Sequence, residues 1–329
     1  MKLARNPFVR AALAALAFAS PAYAQSGPEL MMKPFAPDLR LDLEADASIT
    51  DTGHTKGADE SMQVGIAEVR GRIRMTPGEL ASPRFGFEAK YLNLDSSVPG
   101  LPESFYDFNV GAAAPVGKVG EWVVAVGVGG GYAGQSPFGD GNGWYGRASV
   151  LAFTQIDETS RIGVGIDYDG NRTFKPDCPL PGFAYNKRID KTLALTVGVP
   201  VTSVEWQPVD HLRVQVDYVL LDNFRARVGY EFGNGWEVFG SLGQRTDAFH
   251  LDDSRYSDDR LIFQQRRAEV GVTYRTKNAG VGERDVELTL AAGYAFDGEL
   301  SVGFDSSNSR LLRDISDEPY VRAALQVRF

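Results

Sequence analysis

Three arginines at alternate positions open the question of chemistry. In Val69-Arg70-Gly71-Arg72-Ile73-Arg74, an extended backbone puts Arg70, Arg72 and Arg74 on one face, because strand side chains alternate between faces. Arg225 and Arg227 repeat the spacing. A guanidinium stays charged and offers a planar fork to carboxylates or phosphates. Carboxylates recur with the same period: Asp42 and Glu44, then Glu88, and Glu231 beyond Gly229. Two readings follow. The arginines line a wet passage and raise the local anion concentration. Or they pair with Asp42, Glu44, Glu88 and Glu231 and only keep a polar interior hydrated.

Other candidate sites weigh less. The run from Phe249 to Arg260 holds His250, Asp252, Asp253, Ser254, Asp258 and Asp259. Its oxygens suit a hard cation, but the spacing is not that of an EF-hand loop, and a solvated acidic loop explains it. Neither His250 with its acidic neighbours nor the separate His54 and His211 matches a hydrolase motif. Gly129-Gly130-Gly131 lacks the following Lys-Ser/Thr of a phosphate loop and reads as a strand bend or a close approach. Cys178 sits among Pro176, Pro179 and Pro181. No catalytic, metal or cofactor-binding residue is assigned, and no cofactor is expected.

What positions these residues is legible from composition and period. The chain has 329 residues, 43% hydrophobic and 23% charged, too apolar for a disordered chain. One Cys excludes an internal disulfide framework. A net charge of −9 argues against nucleic acid. Lys2, Arg5 and Arg10, the apolar run Ala11 to Ser20 and Ala22-Tyr23-Ala24 have the layout of a secretory signal peptide over residues 1–24. Residues 25–37 form a Pro-bearing lead-in before a body at 38–329.

The body alternates strictly. Leu39, Leu41 and Leu43 interleave with Arg40, Asp42 and Glu44; Leu288, Leu290 and Ala292 interleave with Glu287, Thr289 and Ala291. Many such runs reach ~10–14 residues, beyond the ~5–6 usual in soluble sheets and near the ~9–11 that cross a bilayer. Aromatics recur near strand ends, among them Trp122, Trp206, Trp236 and Tyr274, as in an interfacial girdle. The terminal segment Tyr320 to Phe329 carries apolar residues at every second place back from Phe329. It resembles the C-terminal signal by which bacterial outer-membrane barrels are recognised for assembly, with Tyr320 and Phe329 as its marks.

These features predict an all-β, transmembrane, antiparallel up-and-down barrel of about 14 strands, or 12 if residues 190–232 hold fewer. The count requires residues 284–304 to form one strand with a bulge at Asp297-Gly298. It sends the long connections 51–60, 95–103, 135–142, 173–189 and 250–259 outward. The segments Val204-Glu205-Trp206-Gln207-Pro208, Gly229-Tyr230-Glu231-Phe232, Phe249 to Asp253, Gln265-Arg266-Arg267, Gly293-Tyr294-Ala295-Phe296 and Asp317-Glu318-Pro319-Tyr320 resemble a family of uncharacterised outer-membrane β-barrel proteins of Gram-negative bacteria. The resemblance covers residues 190–329, and the first half by pattern only. It implies a fold and an outer-membrane location, with lipid, lipopolysaccharide and the barrel-assembly machinery as partners, and no catalytic residue. The expected function is a passive or weakly selective pore for small solutes, not an enzyme. The alternative is a non-conducting barrel whose lumen is closed by salt bridges or by an inward-folded loop, 173–189 or 305–318.

Overall fold

The structure, a computed structural model, describes residue 30 and residues 40–57, 60–77, 82–139, 141–219, 223–252, 259–276 and 285–329. The signal-peptide stretch, the lead-in other than Leu30, and the acidic residues Asp253 to Asp258 lie outside them. Alternating β-branched, aromatic and small residues favour extended backbone, and eighteen strands form. They are β1 (Leu41–Thr50), β2 (Gly53–His54), β3 (Ser61–Arg74), β4 (Arg84–Ser96), β5 (Ser104–Val119), β6 (Trp122–Gly134), β7 (Trp144–Asp157), β8 (Ser160–Asp169) and β9 (Leu180–Arg188). There follow β10 (Leu193–Val199), β11 (Val201–Val209), β12 (Leu212–Val219), β13 (Asn223–Gly233), β14 (Trp236–His250), β15 (Arg260–Arg275), β16 (Asp285–Asp305), β17 (Asn308–Ile315) and β18 (Glu318–Arg328).

Each long strand pairs antiparallel with the next, and β1 closes the ring on β18, from Asp42↔Arg328 to Thr50↔Tyr320. The short β2 and the hairpin arm β17 are accessory, so the closed barrel has 16 strands, not the predicted 14. Among the described residues the ring of long strands is closed, the condition for a sheet to cross lipid. The start of β1 and the end of β18 meet at one end, which we call the near rim: Leu41 N–H donates to the Phe329 carbonyl at 2.7 Å. The opposite end is the far rim.

The two extra strands sit in one place. The segment read as an outward loop, 173–189, contains β9, and the long alternating run 190–207 folds back at Pro200 into β10 and β11. Alternation hides such a fold, because both arms keep the same period. The prolines around Cys178 masked β9 in the same way. A pair of added strands leaves the direction of every other strand unchanged, so loops 51–60, 95–103, 135–142 and 250–259 still share the far rim. β16 runs unbroken through Asp297, which adopts a φ of 48°. A register shift between Gln264 and Arg266 accommodates it. The expected bulge is therefore present.

The outward face is apolar: Val128 is 62% exposed, Leu290 51% and Val321 57%. In water such a surface would be an aggregation liability; against hydrocarbon it is the ordinary exterior of a membrane barrel. Wall height is uneven. β14, β15 and β16 have 15, 16 and 21 residues, whereas β10, β11 and β12 have 7, 9 and 8. Towards the far rim β16 leaves β18 and pairs with β17, which is bridged at Ile315 to Thr55 beside β2.

Candidate functional site

The inward face divides into three zones. In the far half, inward residues of the tall strands are apolar and pack together. Met62, Val64 and Ile66 of β3, Leu92 and Leu94 of β4, Phe105 of β5, Phe249 of β14 and Phe263 of β15 form one buried cluster. The Phe105 and Phe249 rings meet across the lumen at 5.3 Å, and His250 of β14 pairs in parallel with Gly134 of β6. These strands are not neighbours around the wall, so their contact pinches the barrel.

Next to this cluster lies a band of ion pairs. Lys90 of β4 reaches Asp247 of β14 at 2.6 Å, and Arg245 of β14 reaches Glu68 of β3 at 3.0 Å. Arg70 is held by Glu44 at 2.6 Å and Glu68 at 3.0 Å, and Arg72 by Asp42 at 2.9 Å. Arg74 is fully buried. Glu88 lies 3.6 Å from Lys90 and accepts from Asn109 at 3.4 Å. Arg70 and Arg72 are thus paired with Glu44, Glu68 and Asp42. Arg245, Asp247 and their chords across the lumen were not foreseen. The Arg-Thr-Asp alternation at 245–247 carried the signal, but partners more than 150 residues away in sequence leave none.

In the near half the described residues leave a vestibule, and Leu30 of the lead-in is buried at the start of β4, where its carbonyl accepts from Arg84 Nη1 at 2.7 Å. This vestibule, continuous with solvent, is bounded by Arg213, Asp217, Arg225, Arg227, Glu287 and Arg322, among others. Arg227 bonds Glu237 at 2.6 Å, and its guanidinium lies 3.7 Å over the Phe239 ring. Arg275 bridges Glu237 and Glu287 at 2.8 and 2.7 Å, and Arg322 bridges Asp46 and Glu269 at 2.7 and 3.1 Å. Glu231, also on β13, donates its backbone N–H to the His211 carbonyl at 2.8 Å. Tyr320 points inward and donates to Glu269 at 2.8 Å. It is thus off the outward row that ends at Phe329.

Glycines keep the wall thin between β6 and β8. A Cβ on Gly131 would fall 2.5 Å from the Tyr145 ring, one on Gly127 2.7 Å from Ser149 Oγ, and one on Gly165 against Leu151. The β7 side chains thus lie flat over β6 and β8 instead of projecting into the lumen. Within the run Gly129-Gly130-Gly131, Gly131 is approached by the Tyr145 ring and Gly130 by the Tyr145 carbonyl.

Over the far mouth, the β8–β9 loop crosses to β14, β15 and β16. Asn171 Nδ2 donates to the Ala248 carbonyl at 3.3 Å, Ser306 N–H to the Thr173 carbonyl at 2.8 Å, and Lys175 N–H to Asp305 at 3.2 Å. Arg260 pins this strap through the Arg172 carbonyl at 3.1 Å and the Phe304 carbonyl at 2.9 Å. Cys178 is exposed on the same loop. Among the described residues no group of three or more His, Cys, Asp or Glu could hold a metal.

No protein-family model matches the chain, and no curated protein matches it. Among solved structures it is similar to a FadL homologue of Pseudomonas aeruginosa. That likeness has 11% identity and a TM-score of 0.39, over 92% of this chain and 94% of that one. It is also similar to the toluene transporter TodX of Pseudomonas putida, at 10% identity and a TM-score of 0.34, over 95% and 96% of the two chains.

Proposed function

We propose that the protein is an outer-membrane channel for small hydrophilic solutes, with the near rim in the periplasm and the far rim outside. The observation that carries this reading is the open, charged vestibule inside a closed barrel whose exterior is apolar. About 16 strands leave a lumen wider than side chains alone can fill. The filled far half makes the passage narrow and eccentric, and its near part is bounded by β1, β12, β13, β15, β16 and β18 instead of the whole ring. The strap at 170–175 restricts its outer mouth. The channel is passive: the lumen needs no cofactor to work as a sieve.

The cross-lumen ion pairs and the apolar cluster favour a second reading, a closed structural barrel. Solute flux separates the two. Proteoliposomes carrying the refolded protein should admit small sugars and amino acids and exclude larger oligosaccharides. Uptake no faster than in empty liposomes would establish the closed barrel.

A further inference from the structure

Most arginines around the vestibule have a fixed carboxylate: Arg227 has Glu237, Arg275 has Glu237 and Glu287, and Arg322 has Asp46 and Glu269. Arg225 differs. It lines the same cavity, yet no ion pair or side-chain hydrogen bond of its guanidinium is found among the described residues. Its alternation with Phe224 and Ala226 on β13 aims it inward. The charges acting on it most strongly are Arg322 and Arg227, with Glu269 and Glu44 after them. Both of those arginines already have carboxylates, whereas Arg225, set opposite Asp217 of β12, has none within ion-pair distance among the described residues.

A half-buried guanidinium without an acceptor, beside two more guanidinium groups, presents donors arranged for the oxygens of an anion. Arginine matches carboxylate and phosphate bidentately. We propose that Arg225 is the anion-binding residue of the lumen and takes a small soluble oxyanion bearing carboxylate or phosphate groups. This rests on the channel reading for its physiological meaning, but binding itself does not require conduction.

Two readouts separate the claims. Inorganic phosphate is titrated against the refolded barrel while the temperature of its heat-modifiable gel shift is followed. Reversal potential is measured in planar bilayers under a potassium chloride gradient. Wild type should be stabilised by phosphate and be anion-selective. Arg225→Gln should lose the phosphate effect and move its reversal potential toward that of a non-selective pore. Arg225→Lys should keep the selectivity and bind phosphate more weakly, and it serves if the Gln variant does not refold. Lys118→Gln removes a positive charge outside the vestibule and should change neither readout. Currents that are equal in wild type and Arg225→Gln, with no phosphate stabilisation of wild type, overturn the proposal. Phosphate stabilisation lost in Arg225→Gln, in proteins that pass no current, supports the anion site and overturns the channel reading.

Discussion

The arginines of the lumen have unlike surroundings despite equal spacing. Arg70 and Arg72 are buried against Glu44, Glu68 and Asp42, whereas Arg225 has no such acceptor. A buried pair contributes little net stability while whole, because desolvation offsets the attraction, but removing one partner strands the other charge. Arg70→Gln should therefore destabilise the barrel by about 3–5 kcal/mol, read as a shift of the urea unfolding midpoint in lipid. Arg225→Gln strands no carboxylate partner and should leave that midpoint nearly unchanged. Equal midpoints for the two variants would show that Arg70 is not locked as described. The i, i+2 spacing revealed which face these residues share. Which of them had partners depended on the register of β1 against β3, which sets Asp42 opposite Arg72 and Glu44 opposite Arg70.

At the level of strands, the register assigns each described strand residue to the exterior or the lumen of the barrel. Leu290 faces outward, half exposed, and its neighbour Thr289 is buried inside, 3.0 Å from Thr273. Leu290→Arg should cost about 2–4 kcal/mol if it lies near the bilayer midplane, and Thr289→Arg, on the vestibule side, far less. A refolding titration that returned equal costs would contradict the register. Alternation made this face assignment legible for β1, β3, β4, β16 and β18 before any coordinates. The long strand through Asp297 was legible too, because the rule that both ends share one side demands it. The fold-back at Pro200 was not: Val, Thr and Leu continue with period two on both sides of it. β9 was hidden by the prolines that precede it, which read as loop although Phe183 and Tyr185 keep the outward period.

As a whole, the molecule is a barrel with a tall, filled side and a low, open one. The tall strands extend beyond what a bilayer needs and bury their inward apolar residues against each other, which explains why part of the interior resembles a soluble core. The low strands leave polar residues facing water. Composition could not separate the two, since both sets alternate; the chords Lys90–Asp247 and Arg245–Glu68 and the Phe105–Phe249 contact show where the lumen is occupied. Arg260, fully buried at the far rim, fastens the strap that spans what remains. Single-channel current across a planar bilayer tests the central claim most directly. The expected result is small, discrete conductance steps from wild type and larger or longer ones from Arg260→Ala. Barrels that refold and insert, yet stay silent in both forms, would contradict it.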